Sequence, residues 1–260
     1  LLTETTLPVT EVAFASGFSS LRRFNDAFRG RYGIPPTRLR KVASESSVSA
    51  VPTDTFALQL AYRPPFDWTG MLDFLRLRAS KGVERVDDDS YARTIRLGSH
   101  TGWIHVRHVP QRRVLLAELT RSLMPVLPTL LTRLRSMFDL SARPDIISAQ
   151  LMLDPLLTDV VAANPGMRVP GAFDGFELAV RAILGQQITV RAATTLAGRY
   201  VNAFGDSIVT PHDGLTHLAP TAQRVAGLAV DDIGSLGIIQ SRARGIIGLA
   251  TEVASGRLEL

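Results

Sequence analysis

The spacing of apolar residues changes twice along this chain, and this change constrains the fold more than any other feature. Apolar residues lie three or four positions apart in residues 9–28, which is typical of helices. They alternate with polar residues in several segments between 56 and 120, which is typical of strands, and return to helical spacing after residue 144. The chain has 260 residues, 45% of them hydrophobic, so it can bury substantial cores. The pattern predicts an α+β multidomain protein: a helical module, then a sheet with helices, then an all-helical region.

Composition excludes several classes of protein. The chain has no cysteine, so disulfides, thiolate nucleophiles and cysteine zinc sites are excluded within these residues. No apolar run approaches the roughly 18 residues that a membrane-spanning helix needs, and no signal-peptide pattern opens the chain. We therefore expect a cytoplasmic protein. Because the first residue is Leu1 rather than methionine, we also expect the start of the gene product to be missing.

Positive charge is concentrated at the start of the chain. Residues 1–41 carry seven Lys and Arg and three Asp and Glu, a net charge of +4, whereas residues 42–260 carry 22 and 21, a net charge of +1. A basic leader ahead of a nearly neutral body indicates a separate module that contacts a polyanion, most often nucleic acid. A solubilising basic tail is the alternative explanation of the charge alone.

The basic leader, residues 1–43, has the spacing of two short helices. Val9, Val12 and Ala13 mark one face of the first helix. Gly17 follows at a position where the end of a helix needs a left-handed or tight backbone. Two short helices joined by a glycine-containing turn form a helix-turn-helix, whose second helix enters the major groove of DNA.

The second helix of this pair carries the residues expected to bind DNA. Ser19 or Ser20 is its candidate N-cap. Its core face carries four apolar residues: Leu21, Phe24, Ala27 and Phe28. Its other face carries charged and amide side chains: Arg22, Arg23, Asn25, Asp26 and Arg29. We predict that this end of the helix binds DNA, through Ser20, Arg22, Arg23 and Asn25. A merely solvated face is the alternative for the two arginines.

A small polar segment separates this module from the body. Residues 44–50 (SESSVSA), with Pro52 beyond them, predict a linker over residues 44–55. Alternation then predicts four strands, at residues 56–62, 90–97, 101–108 and 114–120. Helices are expected after residue 68 and from about 128 to 138. An antiparallel sheet with helices packed on one face is the simplest arrangement for residues 56–143.

Two polar clusters in this region do not indicate a metal site. His105 and His108 lie three residues apart on a predicted strand, so they point to opposite faces and do not readily share a metal ion. The three aspartates at residues 87–89 are interpreted as a solvated turn. No metal and no other cofactor is predicted.

Residues 144–260 have the spacing of a helical domain. Residues 174–177 (DGFE) have the form of a capping box that opens a helix. A polar break at residues 185–187 (GQQ) separates this helix from the next, over about 189–204. Further helices are expected near Thr221 and over residues 241–254, with Gly256 as the stop of the last one.

Several segments resemble known families. Residues 164–171 (NPGMRVPG) and 180–187 (VRAILGQQ) resemble the signature of AlkA-like 3-methyladenine DNA glycosylases, and residues 62–68 (YRPPFDW) resemble the N-terminal sheet domain of that family. Residues 11–20, together with Phe24 and Phe28, resemble the second helix-turn-helix of AraC-type regulators. The combination is similar to the fused Ada-AlkA regulators of the bacterial adaptive response to alkylation.

The resemblance implies a DNA-repair N-glycosylase that excises alkylated purines from double-stranded DNA by base flipping. It places Gln187 at the position that fills the gap left by the flipped nucleotide, with Gln186 beside it. It places Phe74 in the wall of the base pocket, where an aromatic face attracts a positively charged alkylated base. Core packing is the alternative for Phe74. For the two glutamines, the alternative is that they only satisfy backbone groups in a turn between helices.

The resemblance also implies a catalytic aspartate just after a glycine-rich helix-hairpin-helix. No such segment occurs in the printed sequence, so no catalytic residue is assigned, and we expect the aspartate beyond Leu260 and this piece of the protein to be inactive alone. Four aspartates are interpreted as turn or cap residues: Asp206, Asp213, Asp231 and Asp232. The alternative function is a non-enzymatic transcriptional regulator of the alkylation response that binds DNA.

Overall fold

The computed structural model describes residues 7–32, 35–37 and 55–260. The linker predicted over residues 44–55 lies outside the described residues apart from Thr55, which is the first residue of a strand. None of the helices described is long and apolar enough to cross a membrane. The fold combines a helical pair, an antiparallel sheet with helices, and a group of further helices, which confirms the predicted α+β multidomain class.

The helix-turn-helix geometry is present at the start of the described chain. Helix α1 spans Val9–Ala15 and helix α2 spans Leu21–Tyr32. Gly17 lies between them with a φ of +83°, a left-handed conformation that is accessible to glycine without steric cost. The Ser20 hydroxyl accepts a hydrogen bond from the backbone N–H of Arg23 at 3.3 Å. Ser20 is therefore the N-cap of α2.

The helical pair packs into the same hydrophobic cluster as the sheet, to which it contributes the buried residues Ala13 and Phe24. The prediction that Ala27 is buried is wrong, because its side chain is exposed. At 100° per residue, Leu21 and Phe28 lie on one side of Phe24 and Ala27 lies on the other. Only the first side is packed against the core, where Leu21 and Phe28 are partly buried.

Five antiparallel strands form one sheet, in the order β1-β5-β4-β3-β2. The strands are β1 Thr55–Ala61, β2 Glu84–Val86, β3 Ser90–Leu97, β4 His100–Val109 and β5 Val114–Thr120. The four predicted strands are confirmed. Strand β2 was not expected, because three residues are too few to show a clear alternation. It forms one edge of the sheet and pairs Glu84 with Arg93 of β3.

Four further helices are α3 Trp68–Arg78, α4 Leu127–Met137, α5 Pro144–Leu151 and α6 Thr158–Ala163, of which α3 and α4 pack against the sheet. The Asp67 carboxylate caps α3 by accepting a hydrogen bond from the Gly70 N–H at 2.8 Å. Leu72 of α3 and Leu134 of α4 are fully packed in the sheet core. Helices α5 and α6 were not expected, and their apolar side chains are mostly exposed, as in Ile146 of α5, which is 54% exposed.

The remaining helices pack around a second hydrophobic cluster, which includes Val180, Leu184 and Ile246. They are α7 Gly175–Gly185, α8 Val190–Phe204, α9 Ala222–Ala226, α10 Val230–Gly234 and α11 Gln240–Ala254. The predicted helices are confirmed, whereas the short α10 was not expected. The expected capping box is only half formed. The Asp174 carboxylate accepts from the Glu177 N–H at 2.9 Å, but the Glu177 carboxylate pairs with arginines instead.

Candidate functional site

A cavity of about 370 Å³ lies where helices α3, α7 and α8 meet the sheet. Phe74 and Arg78 of α3 form part of its wall. Gly185 ends α7, and Ile188 precedes α8, so the polar break predicted from the sequence forms one rim of the cavity. We refer to this cavity as the Phe74 pocket.

Two carboxylates and two guanidinium groups line the deep part of the Phe74 pocket. Arg93 Nη2 lies 2.7 Å from Glu177 Oε2, and Arg181 Nη1 lies 2.9 Å from Glu84 Oε2. Arg181 also lies 3.7 Å from the second oxygen of Glu177. The Tyr91 hydroxyl donates to Glu84 Oε1 at 2.6 Å. This network joins β2 and β3 of the sheet to α7.

The network keeps the Glu84 carboxylate ionised. Burial acts to raise the pKa of the Glu84 carboxyl, but Arg93 and Arg181, together with hydrogen bonds from Tyr91 and Ser80, outweigh burial and lower that pKa. Burial and the neighbouring Glu84 carboxylate raise the pKa of Tyr91 well above its usual range, so its hydroxyl stays a hydrogen-bond donor. Two negative and two positive groups then cancel each other.

No carboxylate that lines the Phe74 pocket within the described chain is free of an arginine. Glu84 and Glu177 belong to the network above. Asp174 caps α7 and lies 3.1 Å from Arg133 Nη1. Each of the three carboxylates that line the pocket is therefore paired with an arginine. A carboxylate that is paired with an arginine attracts a nearby developing cation only weakly, because the positive guanidinium offsets its negative charge.

Phe74 lines the wall of the cavity and is not a member of the buried core cluster, and its role in binding a base stays a prediction. Its side chain is 39% exposed. The Arg78 guanidinium lies 3.8 Å from the centroid of the Phe74 ring, so one face of the ring already carries a cation. Sequence reasoning did not anticipate this contact, although a spacing of four residues on a helix is the expected signal for it.

Gln186 and Gln187 are exposed in the turn between α7 and α8. The Gln186 carbonyl accepts a hydrogen bond from the Arg242 guanidinium of α11. Gln187 has a φ of +55°, in the left-handed region that disfavours any residue with a Cβ atom. Neither glutamine lines the Phe74 pocket, but their neighbours Gly185 and Ile188 do.

The predicted DNA-binding residues of α2 lie on the helix surface away from the core. Arg22 and Arg23 are exposed, and Asn25 is half-buried. Ser20 uses its hydroxyl to cap α2. Helix α1 is also tied to the segment after β5, where Arg121 Nη1 lies 3.4 Å from Glu11 Oε2. The arginine pair is thus presented on a helix that is fixed against the sheet.

The two histidines of β4 have different surroundings. His108 Nε2 lies 2.6 Å from the Tyr62 hydroxyl, whereas the His105 ring lies 5.0 Å from the ring of His212. Among the residues that the structure describes, no group of three or more His, Asp or Glu side chains could hold a metal ion.

Three family models match the sequence, in consecutive segments. A helix-turn-helix domain matches residues 1–42, the AlkA N-terminal domain matches residues 57–174, and the HhH-GPD superfamily of base excision DNA repair proteins matches residues 180–259. The last two segments contain Phe74 and the Gln186–Gln187 turn, respectively.

Similar proteins include a bifunctional one. The chain is 38% identical over 263 residues to the probable bifunctional transcriptional activator/DNA repair enzyme AlkA of Mycobacterium tuberculosis, in an alignment that covers 100% of this chain and 52% of the relative. The chain thus spans about half the length of this curated relative. A solved 3-methyladenine DNA-glycosylase from Archaeoglobus fulgidus has the same fold over 74% of this chain and 65% of its own, with a TM-score of 0.63 and 19% identity.

A further relative decides the family. DNA-3-methyladenine glycosylase 2 of Escherichia coli is 34% identical over 201 residues, which cover 77% of this chain and 68% of the relative. The alignment has the length and identity expected within one family, and the matched models occur in the order of the structural segments. This chain therefore belongs to the AlkA-like family of DNA-3-methyladenine glycosylases.

Proposed function

We propose that this chain combines a helix-turn-helix that binds duplex DNA with the lesion-binding part of a DNA glycosylase that acts on alkylated purines. The observation that carries the proposal is the Phe74 pocket, which opens beside the exposed Gln186–Gln187 turn. The helix-turn-helix is assigned to residues 1–43, the linker to 44–55, the sheet domain to 56–143 and the glycosylase domain to 144–260.

A glycosylase reaches its target by rotating the nucleotide out of the duplex, at a cost of a few kcal/mol that is smallest for damaged pairs. Gln187 is exposed on a turn that Arg242 holds in place. We assign to its amide the role of hydrogen-bonding in the gap that the flipped nucleotide leaves. Gln186, the preceding residue of the chain, is assigned to a position near the flipped nucleotide.

The Phe74 pocket takes the flipped base. An alkylated purine such as 3-methyladenine carries positive charge, which an aromatic face attracts. Arg78 occupies one face of the Phe74 ring, so the base is assigned to the other face. The network of Glu84, Arg93, Glu177 and Arg181 is neutral as a whole and positions the wall without attracting or repelling the charged base.

We further propose that residues 1–260 bind the lesion but do not cleave the glycosidic bond at an enzymatic rate. Cleavage passes through a cationic sugar, and removing preorganised electrostatic stabilisation typically costs about 10²–10³ in rate for each group lost. The pocket carboxylates of the described chain are all paired with arginines. None of these three carboxylates is therefore assigned as the catalytic group.

The test measures free base released from a methylated duplex by this chain and, under the same conditions, by the Escherichia coli relative. We expect the chain to bind the methylated duplex but to release free base no faster than the uncatalysed reaction does. Release at the rate of the relative would place the catalytic group within these residues. A chain that binds methylated and unmethylated duplexes equally, and releases no base, would instead favour a regulator that binds DNA without recognising lesions.

That regulator is the second candidate function, and a specific observation favours it. Arg22 and Arg23 are exposed on α2, as a helix that reads DNA requires, while the paired carboxylates leave the pocket without an evident catalyst.

A further inference from the structure

A second cavity, of about 1240 Å³, runs between helix α8 and the end of α3 with the residues that follow it. Five Lys and Arg side chains line it, and no Asp or Glu side chain of the described residues does. We call it the basic groove and define it by these five residues: Arg76, Arg78, Lys81, Arg191 and Arg199.

Most of the positive charge in the basic groove is not neutralised. Arg76 pairs with the Asp73 carboxylate, and Arg199 donates to the Leu236 carbonyl at 3.1 Å. Lys81 and Arg191 are exposed and form no ion pair with any residue that the structure describes. Like charges that line one groove repel each other. The charge therefore favours an anion as the ligand.

The position of the basic groove identifies which anion fits. Arg78, Val190 and Thr194 line both the basic groove and the Phe74 pocket, so the two cavities share a wall. A base that enters the pocket stays attached to its strand through the sugar. The phosphates on either side of that nucleotide must therefore lie near the mouth of the pocket, because both are bonded to the sugar that carries the base.

We propose that the basic groove binds the phosphodiester backbone of the DNA strand whose base occupies the Phe74 pocket. This inference rests on the proposed function. Lys81 and Arg191 neutralise phosphates next to the flipped nucleotide, and such contacts set the position of a strand without reading its sequence. Residues of α8 and of the segment after α3 thus bind the phosphates of the lesion strand.

The experiment uses the full chain with Lys81→Gln and Arg191→Gln combined. The matched control combines Arg224→Gln and Arg244→Gln, two exposed arginines that do not line the groove. Binding of a methylated duplex is measured by fluorescence anisotropy between about 50 and 200 mM salt, because each phosphate contact adds about 0.9 to the steepness of log K against log salt. The helix-turn-helix contributes equally to all proteins, so it cancels in the differences.

We expect the groove variant to lose about two units of this slope, while the control keeps it. Over that salt range, the affinity of the parent protein should then fall about tenfold more than the affinity of the groove variant. Equal slopes for the parent, groove and control proteins would overturn the proposal. A charge-reversed pair, Lys81→Glu with Arg191→Glu, repeats the test if the glutamine pair melts at a lower temperature than the parent.

Two further arms separate the possible failures. Phe74→Leu changes only the pocket. If this variant loses the preference for methylated duplex and keeps the salt slope of the parent protein, the result supports the pocket, and the groove variant tests the groove separately. No preference in the parent protein, together with a reduced slope in the groove variant, would reject the pocket and retain the groove. Inorganic tripolyphosphate is tested as a competing ligand. If it binds the parent protein but not the groove variant, and both proteins bind duplex equally, the ligand of the groove is a small polyphosphate and the proposal of a DNA strand is rejected.

Discussion

At the scale of single residues, Gln187 combines an exposed side chain with a strained backbone. Its φ of +55° costs a residue with a Cβ atom roughly 1–2 kcal/mol. Strain of this kind persists where the surrounding structure holds it, and it concentrates at binding sites. The Arg242 guanidinium, which binds the preceding carbonyl, supports this turn together with two backbone hydrogen bonds.

A pair of substitutions separates the effect of the Gln187 backbone on stability from the effect of its side chain on binding. Gln187→Gly relieves the strain and should raise the free energy of unfolding by up to about 1 kcal/mol, after the greater entropy of unfolded glycine is subtracted. Gln187→Ala keeps the Cβ atom and should change stability by less than about 0.5 kcal/mol. Both remove the amide and should weaken lesion binding by about 0.5–1.5 kcal/mol.

Urea unfolding and binding to methylated duplex measure these two effects. Intact lesion binding in both variants, with stability lost in Gln187→Ala, would show that the glutamine only supports the turn.

Phe74 has a separate test, because its ring supplies charge attraction as well as volume. Phe74→Leu fills much of the same space without a π face, so the preference for a positively charged lesion over a neutral one should fall by about 0.5–2 kcal/mol. Phe74→Tyr keeps the face and serves as the control. The measurement is the ratio of affinities for duplexes that contain a cationic or a neutral damaged purine. An unchanged ratio in Phe74→Leu would assign the residue to packing alone.

At the scale of the element, the two faces of α2 differ: one packs against the core, and the other carries the exposed side chains that are predicted to bind DNA. Phe24 is buried, with its ring centroid 5.3 Å from that of Phe18, while Arg22 and Arg23 point away from the core and are exposed. The cap from Ser20 fixes the first turn of the helix, which is the part of a recognition helix that meets base edges. The helix can therefore lose its arginines without losing its core.

Replacing both arginines tests α2 as the DNA-reading element. We expect Arg22→Ala with Arg23→Ala to weaken duplex binding while the melting temperature stays the same, because both side chains are exposed. A contact to a base edge is worth about 1–3 kcal/mol and its loss relaxes specificity, whereas loss of a phosphate contact weakens binding to all sequences alike. Arg29→Ala, on the same helix, is the comparison. Unchanged affinity for every duplex at low salt would reject the assignment.

At the scale of the whole molecule, two hydrophobic clusters are joined by polar contacts. The first contains the helical pair and the sheet, and the second contains helices α7 to α11. The network of Glu84, Arg93, Glu177 and Arg181 connects them, and Thr94 Oγ1 also donates to the His217 carbonyl at 2.6 Å. The Phe74 pocket lies at this junction, so its shape depends on the way the two clusters are held together.

Stability should depend on pH through the histidines of this junction and of β4. Burial lowers the pKa of His105, His108 and His212. The unfolded chain, in which histidine titrates near about 6.5, then binds more protons than the folded chain below that pH. The free energy of unfolding should therefore fall as the pH decreases from about 7 through the lowered folded values. The lowered pKa of Glu84 acts separately, at pH values below its ordinary 4.5.

Urea unfolding at several pH values between about 7.5 and 5.5 measures this dependence. The double variant His105→Gln with His212→Gln removes two of the three groups and should flatten it. The same slope in the variant and the parent protein would mean that these histidines do not carry the effect.

The order and type of most elements followed from the sequence alone, because they depend on local spacing. The helical pair, four strands, most of the helices and the glycine at the end of α1 are encoded in runs of neighbouring residues. The family was also readable, since residues 180–187 form one continuous segment. Some short elements, such as β2 with three residues and α5 with eight, were too short or too irregular to show a period.

The composition of the candidate sites was decided by the tertiary structure. Glu84 lies in the missed strand, and Arg181 reaches it across 97 positions of the chain, so no local pattern could pair them. Lys81 and Arg191 likewise meet in one groove only because α8 packs beside the end of α3. Burial and charge pairing depend on which distant segments come together. The sequence by itself therefore determined most of the elements and the family, whereas only the packing decided which carboxylates are neutralised and which cations remain exposed.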